Sequence, residues 1–275
     1  MKYFNIVCYD NYIYQLKDKL GVLTTLIVGS EKALLIDTAY GIGNLKEEVL
    51  NILDNHGLKE KDLIVINSHG HMDHTNGNFM FDKVYILEED YELLKEHNQR
   101  DVRQRNIDNA LNSNLLDKDF DIEGYLNQGI GNIEFLHLGD VFDLGNIRLE
   151  VIGMEGHTKG SIGLYDKDNK NLFVSDATCP FVWMFLKESL RVSDYIKMLK
   201  RIIELDFDYF YTGHNQTRFK KEKMHSFLKI AEEIDLEKSV PVSFGGFEDC
   251  HAYCYTKGKM YDQNDCGIVF DPDKL

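Results

Sequence analysis

Short strand-like segments occur in two blocks of this chain, and helical segments follow each block. In the N-terminal block, β-branched and aromatic runs separated by Gly, Asp or Asn predict strands in FNIVCYD, YIYQL, LTTLIVG and KALLIDT. From residue 133 the strand pattern returns in IEFLHL and IRLEVIG, across a Gly145-Asn146 turn, and in SIGLYD and NLFVS. Helical spacing covers 43–56, about 88 to 116, about 193–204 and about 219–236. The pattern predicts an α/β (α+β) fold with a duplicated layout around one core.

The charge balance argues against a nucleic-acid partner. The 275 residues include 31 Lys plus Arg and 46 Asp plus Glu, a formal net charge of −15, which repels phosphate backbones. The sequence has no apolar run near the roughly 18 residues that span a bilayer, and its N-terminal residues do not resemble a signal peptide. Its 5 cysteines, an odd and scattered set, fit reduced thiols. We therefore expect a soluble cytoplasmic protein with a small-molecule substrate and without nucleic-acid or membrane partners.

A cluster of metal-binding residue types follows directly on the apolar LIVIN strand. The segment 68–74 reads SHGHMDH. Paired ligands on a helix are expected at i, i+4, as in H-E-x-x-H, whereas His69 and His71 are two residues apart and Asp73 and His74 are adjacent. This spacing favours a loop at a strand end, where successive side chains diverge toward two metal positions.

Three further candidate ligands lie just beyond predicted strands. His157 follows IRLEVIGMEG, Asp176 closes NLFVSD, and His214 follows DYFYTG. Side chains at strand ends are held by the rigid rim of a sheet. Together with the SHGHMDH segment they form a nitrogen and oxygen ligand set that suits two metal ions sharing one carboxylate, with a water between them and open positions for substrate.

These segments resemble the metal-binding motifs of a known superfamily. SHGHMDH matches the H-x-H-x-D-H motif of the metallo-β-lactamase superfamily, GMEGHTKGS, SDAT and GHN fit its later motifs in order, and LLIDTAYG is similar to its first motif. The resemblance covers about residues 20–215 and implies a four-layer αββα sandwich, in which two sheets lie face to face with helices outside. We expect one such domain over 1–275, with a helical insertion at about 95–130 and a C-terminal extension at about 237–275.

The resemblance also implies a role for each ligand. The first ion would be held by His69, His71 and His157, and the second by Asp73, His74 and His214, with Asp176 bridging the two. Asp37 would orient a ligand loop through hydrogen bonds, with a purely structural role as the alternative. Zinc is the default ion, and iron or manganese also suit these donors. A hydroxide formed from the bridging water would be the nucleophile, and Asp73 would hold its proton and pass it to the leaving group.

Single positions at which this sequence differs from individual subfamilies narrow the range of reactions that we expect it to catalyse. Asp176 stands where classical zinc β-lactamases have cysteine, and His71 stands where flavodiiron proteins have glutamate, so antibiotic hydrolysis and oxygen reduction are disfavoured. The ligand pattern resembles glyoxalase II-like thioesterases and quorum-quenching lactonases, but Cys179 replaces the lactonase tyrosine and the basic C-terminal cluster of glyoxalase II is missing. We expect a dinuclear hydrolase of a small ester, thioester or lactone. A mononuclear iron dioxygenase of this fold and a phosphodiesterase are the alternatives.

Candidate substrate contacts lie near these motifs. Lys159 is a candidate for an anionic substrate group, with an ordinary exposed lysine as the alternative. The apolar run FVWMFL, which includes Trp183, favours either core packing or a dimer contact, or else an apolar wall for an acyl group. Tyr211 and Asn215 are candidate donors to an oxyanion. The insertion at 95–130 is expected to form either a substrate lid or a solvated cap, and a homodimer is left open.

Overall fold

The computed structural model describes residues 3–116, 120–245, 247, 249–262 and 264–275. The chain divides into two compact units, Met1–Glu150 and Val151–Leu275. Among the described residues, no helix is both long enough and apolar enough to cross a membrane.

The first unit is built on one mixed sheet. Its elements are β1 (Asn5–Tyr9), β2 (Ile13–Lys17), β3 (Leu23–Val28), β4 (Ala33–Ile36), α1 (Leu45–Asn55), β5 (Leu63–Ile66), α2 (Met72–Thr75), β6 (Val84–Leu87), α3 (Tyr91–His97), α4 (Arg100–Asn112), α5 (Ile122–Leu126), β7 (Ile133–Leu136), β8 (Val141–Asp143) and β9 (Arg148–Gly153), which runs into the second unit. Strands β1 to β7 lie side by side in sequence order. Pairing is antiparallel from β1 to β4 and parallel from β4 to β7. Parallel neighbours need crossover connections, and the predicted metal-binding loop lies in one of them, between β5 and β6.

Helix α1 confirms the helical spacing predicted at 43–56. The Asn44 side chain caps it by accepting a hydrogen bond from the Glu47 amide. Its buried residues Val49 and Leu53 join a core with sheet residues such as Leu26. Burying this apolar stripe against the sheet stabilises both elements.

Two predictions for the first unit, one of a hairpin and one of a single long helix, differ from the structure. The IEFLHL strand is β7, which pairs in parallel with β6, and the hairpin through Gly145 joins β8 to β9. The helix expected from 88 to 116 is two helices, α3 and α4. It breaks because the Asn98 side chain donates to the Leu94 carbonyl at 3.0 Å and Gln99 is extended. The insertion at 95–130 thus comprises the end of α3, α4 and α5, and residues 117–119 lie outside the described residues.

The second unit contains two sheets. Its further elements are β10 (Ile162–Asp166), β11 (Asn171–Ser175), β12 (Phe181–Met184), α6 (Val192–Ile203), β13 (Tyr209–Thr212), β14 (Arg218–Lys220), α7 (Glu222–Glu232), β15 (Val240–Val242), β16 (Ala252–Thr256) and β17 (Gly267–Phe270). One sheet has the order β14-β13-β11-β10-β9, and the other has the order β12-β17-β16-β15. The helix predicted at 219–236 is shorter, because Phe219 lies in β14 and stacks on Phe210 of β13. Helices α6 and α7 bury residues such as Leu199 and Phe227 in the core of this unit.

The C-terminal segment completes the smaller sheet. Strand β17 pairs in parallel with β12, from Phe181 opposite Gly267 to Met184 opposite Phe270, and β16 pairs antiparallel with β17. The apolar run FVWMFL therefore supplies a buried strand whose neighbour comes from the far end of the sequence.

Candidate metal centre

The SHGHMDH segment leaves the carboxyl end of β5 and begins α2. His69 Nε2 lies 3.0 Å from His71 Nδ1, and Asp73 Oδ2 lies 3.4 Å from His74 Nε2. The three imidazoles are at most 6 % exposed, whereas the Asp73 side chain is 18 % exposed. The structure thus brings the four predicted ligands of the first unit together at one strand end, with a carboxylate on the accessible side.

Gly70 allows this loop to pack closely against the start of α3. A Cβ atom at Gly70 would lie 2.8 Å from the Asp90 carbonyl oxygen and 2.9 Å from the Leu94 amide nitrogen. The Gly70 amide also donates to the Asp90 carboxylate at 2.8 Å. A glycine between the two histidines therefore lets the loop approach this backbone.

Asp37 directly follows β4, and its carboxylate forms hydrogen bonds with the histidine loop. Its Oδ1 accepts the Ser68 amide at 2.7 Å, and its Oδ2 accepts the Ser68 hydroxyl at 2.8 Å and His74 Nδ1–H at 2.9 Å. The carboxylate is 1 % exposed, and the residue has φ +68°, a left-handed conformation that Asp tolerates better than most residues. Asp37 therefore contacts the ligand loop at two residues, as its predicted orienting role requires.

These hydrogen bonds determine which ring nitrogens carry protons. The Ser68 hydroxyl gives its single proton to Asp37, so it accepts from His69 Nδ1 at 2.9 Å. His74 Nδ1 likewise donates to the Asp37 carboxylate. In neutral His69 and His74, the lone pair is therefore on Nε2, the atom available to a metal ion.

Buried amide and hydroxyl groups form a hydrogen-bond network with the main chain of this loop. This network was not predicted from the sequence. The His74 carbonyl accepts hydrogen bonds from the Thr38 amide, the Thr38 hydroxyl and the Asn67 side chain at 2.9 to 3.1 Å. Asn78 exchanges hydrogen bonds with Asn67 at 2.8 and 3.1 Å. Only the position of Asn67, the polar last residue of the otherwise apolar LIVIN segment, was a signal for this network.

His97 is a second neighbour that sequence reasoning missed. Its ring stacks on His71 with centroids 5.1 Å apart, and its Nδ1 accepts the Met72 amide at 3.3 Å. His97 ends α3, so it reaches the loop only through the folding of the insertion.

The predicted ligands of the second unit also lie just after strands. His157 Nδ1 donates to the Trp183 carbonyl of β12 at 2.7 Å, which again leaves the lone pair of a neutral ring on Nε2. The Ser189 hydroxyl donates to the His157 carbonyl at 2.9 Å. Asp176 Oδ2 and His214 Nε2, from the ends of β11 and β13, lie 3.0 Å apart. The structure thus pairs Asp176 with His214 and fixes the tautomer of His157 through β12.

The backbone before Asp176 is strained. Ser175 has φ +45°, and the pairing of β11 with β13 shifts register between Phe173 and Ser175. Left-handed backbone at a non-glycine residue costs free energy, and such residues cluster at functional sites. The irregularity ends the ladder just where Asp176 leaves the sheet.

Cys179 is electrostatically unsuited to bind or attack as a thiolate. Loss of water around its sulfur, together with the negative charge of Asp176, raises the pKa of the Cys179 thiol well above its ordinary value. The group therefore remains a neutral thiol near pH 7.

The predicted substrate contacts differ in exposure. Lys159 is exposed, and Trp183 and Asn215 are half-buried. Asn215 is tied to its own loop by weak hydrogen bonds of 3.4 Å with Thr212. Tyr211 is 1 % exposed and stacks on Phe173. Lys159 and Trp183 therefore offer surface to a ligand, whereas Tyr211 offers almost none.

The donor chemistry fits divalent metal ions. His69 Nε2 and His71 Nδ1 face each other at 3.0 Å, and two lone pairs at this distance repel unless a proton or a cation lies between them. His74 and His157 also present Nε2, and the remaining candidate ligand atoms are those of the His214 imidazole and the carboxylates of Asp73 and Asp176. Imidazole and carboxylate ligands suit zinc, iron and manganese.

The family model of the metallo-beta-lactamase superfamily matches residues 18–214. The chain belongs to this superfamily, as the SHGHMDH motif predicts. Strand β14, helix α7 and strands β15 to β17 lie beyond the matched residues.

Two curated relatives are hydrolases by name. Human acyl-coenzyme A thioesterase MBLAC2 is 30 % identical over 186 residues, covering 66 % of this chain and 66 % of that protein, so the match spans just under two thirds of the relative's length. Hydroxyacylglutathione hydrolase 1 of Vibrio vulnificus is 24 % identical over 273 aligned residues, covering 86 % of this chain and 90 % of that protein.

A solved structure shows the fold. The metallo-beta-lactamase family protein TTHA1429 from Thermus thermophilus matches with a TM-score of 0.56 at 19 % identity, covering 83 % of this chain and 78 % of that chain. This likeness confirms the predicted metallo-β-lactamase fold.

Proposed function

We propose that this protein is a metal-dependent thioesterase that hydrolyses acyl-coenzyme A. The observation that carries the proposal is the buried histidine loop of the first unit, in which Asp37 holds His69 and His74 with Nε2 available to metal. The names of both curated relatives describe hydrolysis of a thioester, and one specifies acyl-coenzyme A. Thioester hydrolysis is therefore favoured over the broader class of esters and lactones.

Two divalent ions, zinc by default, complete the proposed centre. The ligands of the first would be His69, His71 and His157, and those of the second Asp73, His74 and His214, with Asp176 shared. When bound, such ions lower the pKa of a shared water so that hydroxide is available near pH 7, and they polarise the thioester carbonyl. The order of the motifs along the chain and the fixed tautomers of three histidines support this assignment.

Asp73 is the proposed proton acceptor. Its carboxylate is the more accessible partner of the pair with His74, which keeps Oδ2 within 3.4 Å of a ligand nitrogen. At this position Asp73 Oδ2 can hold the proton of the attacking water and return it to the leaving sulfur. Asp37 keeps the His74 imidazole in place during this transfer through the hydrogen bond to Nδ1, and Thr38 and Asn67 hold the His74 main chain through its carbonyl.

An aromatic cluster in the second unit is the proposed contact for the acyl group. The Trp183 ring lies 4.5 Å from Phe244, 5.1 Å from Phe185 and 5.8 Å from Phe247, by ring centroids, and its Nε1 donates to the Tyr261 hydroxyl at 3.3 Å. Trp183 is half-buried, and its own carbonyl holds His157. An apolar surface beside a proposed ligand suits an aliphatic chain. Lys159, exposed two residues after His157, is the proposed contact for a phosphate of coenzyme A.

The test is thiol release from acyl-coenzyme A of increasing chain length, with metal content measured by ICP-MS on protein purified without chelator or added metal. We expect hydrolysis by protein that contains close to two zinc ions per chain. Hydrolysis of bis(p-nitrophenyl) phosphate without thioester hydrolysis would favour a phosphodiesterase. One iron per chain with oxygen consumption would favour the dioxygenase, and either result would overturn the proposal.

Trp183→Ala is expected to raise KM for a long-chain acyl-coenzyme A about tenfold, because loss of the indole removes apolar contact area from the acyl chain. The KM for acetyl-coenzyme A should change little, since an acetyl group is too short to use the cluster. Steady-state kinetics with both substrates measure the difference. Trp183→Phe keeps an aromatic ring and should behave like the parent protein. Equal changes for the short and the long substrate would contradict the acyl contact.

A further inference from the structure

Arg103, in helix α4 of the insertion, is a buried charge that the proposed function leaves unexplained. It is 0 % exposed, and no carboxylate among the described residues forms a salt bridge with it. Its guanidinium lies over the rings of Phe79 and Tyr125, with its central carbon 5.6 and 5.0 Å from their centroids. Burying an arginine without a counter-charge is strongly unfavourable unless neutral acceptors hold it well.

The acceptors of Arg103 lead to the metal-binding loop. Nη1 donates to the Asn76 carbonyl at 3.0 Å, at the residue that caps the end of α2. Nη2 donates to Asn98 Oδ1 at 2.8 Å and, more weakly, to the Gly129 carbonyl at 3.3 Å. One planar group thus joins α2, the α3–α4 junction and the segment after α5.

The chain of hydrogen bonds continues from Asn98 to a ligand residue. Asn98 Nδ2 donates to Thr75 Oγ1 at 2.9 Å, and Thr75 Oγ1 donates to the His71 carbonyl at 2.9 Å. Arg103 therefore acts on both ends of the short α2 turn, directly at Asn76 and through two side chains at His71. Asp73 and His74 lie between these two points.

We propose that Arg103 is a positioning residue for the metal centre and that the insertion is a scaffold for the ligand loop. A four-residue helix cannot hold its own shape in water, so external bonds must fix the direction of Asp73 and His74. The guanidinium does so because its rigid fork donates in two directions at once. This inference rests on the proposed metal centre but does not depend on the identity of the substrate.

The test compares Arg103→Met and Arg103→Lys with Arg105→Met. Arg105 is on the same helix, but its side chain is 58 % exposed and pairs with Asp101. Zinc affinity is measured by competition with a chelator, coordination by the absorption spectrum of the cobalt-substituted protein, and stability by urea unfolding of the metal-free protein. We expect both Arg103 variants to bind the more weakly held ion about 10- to 100-fold less tightly and to change the cobalt spectrum. Lysine should not rescue, because it lacks the fork, and Arg105→Met should match the parent.

A lower unfolding free energy with unchanged zinc affinity and cobalt spectrum would mean that Arg103 only stabilises the fold, and it would overturn the inference. If the Arg103 variants do not fold, Thr75→Val and Thr75→Ser test the same chain of bonds. Valine removes the hydroxyl between Asn98 and His71, so it should weaken zinc binding, whereas serine should preserve it; equal affinities would again overturn the inference.

The outcomes separate the two proposals. A parent protein that binds two ions without cleaving thioesters refutes the proposed substrate and leaves the role of Arg103 standing. A parent protein that cleaves thioesters, with Arg103 variants of equal metal affinity, refutes only the positioning role. A parent protein that binds no metal overturns both.

Discussion

His71→Ala is expected to reduce thioester hydrolysis by well over about 100-fold, because loss of a direct ligand should exceed the 10- to 100-fold cost of losing a partner of a ligand. The bound metal should fall together with the activity, since His71 Nδ1 is one of the two converging nitrogens at 3.0 Å. Metal content by ICP-MS and thiol release from acyl-coenzyme A are the two measurements.

The fold should survive this substitution. The His71 side chain does not cap α2, and the hydrogen bond from Thr75 uses the main-chain carbonyl, which alanine retains. His137→Ala, at an exposed position after β7, is the matched control and should keep full metal content and activity. Retention of both by His71→Ala would show that the assigned site is wrong.

Asp37→Asn should weaken metal binding by about 10- to 100-fold and lower the turnover accordingly. The carboxylate accepts three hydrogen bonds, from the Ser68 amide, the Ser68 hydroxyl and His74 Nδ1–H. An amide has one accepting oxygen, so either orientation of asparagine places an N–H group against at least one of these donors. When the amide nitrogen faces His74, it favours the tautomer with the proton on Nε2, which removes the lone pair that a metal needs.

Asparagine separates this effect from backbone strain. It tolerates the φ of +68° at this position as well as aspartate does, so the change acts mainly through the hydrogen bonds. Asp54→Asn, where the side chain is 73 % exposed and pairs with Lys59, should leave metal binding unaltered. If Asp37→Asn lowers the unfolding free energy but binds zinc like the parent, Asp37 has the purely structural role that the sequence left open.

The cluster of histidine and aspartate side chains after β5 was predictable because it is local in sequence. SHGHMDH lies in one segment after one apolar strand, so residue type and spacing alone indicate a metal site. The strands before and after it were predictable for the same reason, since alternating or apolar runs between turn residues need no knowledge of distant partners.

The supports of the loop were not predictable, because their partners are distant in sequence. Arg103 lies in a polar, Asn-rich helix, where an arginine is ordinarily read as solvated, and only tertiary packing makes it buried. Asn78 and His97 likewise come into contact with Asn67 and His71 only through the tertiary fold. The insertion at 95–130, expected to form a substrate lid or a solvated cap, also carries Asn98 and Arg103, which form hydrogen bonds with residues of the α2 turn.

The apolar run FVWMFL shows a third limit. Its composition is compatible with core packing, a dimer contact or an apolar wall, and its pairing with β17 could not be read from the sequence. The C-terminal extension at 237–275 provides β17, the strand neighbour of β12, and three of the aromatic rings around Trp183, those of Phe244, Phe247 and Tyr261.

The pairing of β12 with β17 also sets an order of events during synthesis. Among the described residues, β12 lies at one end of its sheet, and β17 is the strand that pairs with it. A nascent chain on the ribosome therefore emerges with β12 long before its neighbour has been translated, and the main-chain N–H and C=O groups of β12 are open to foreign strands during that interval. Since the Trp183 carbonyl belongs to β12, we expect the hydrogen bond that fixes the His157 tautomer to become stable only when β12 has paired with β17.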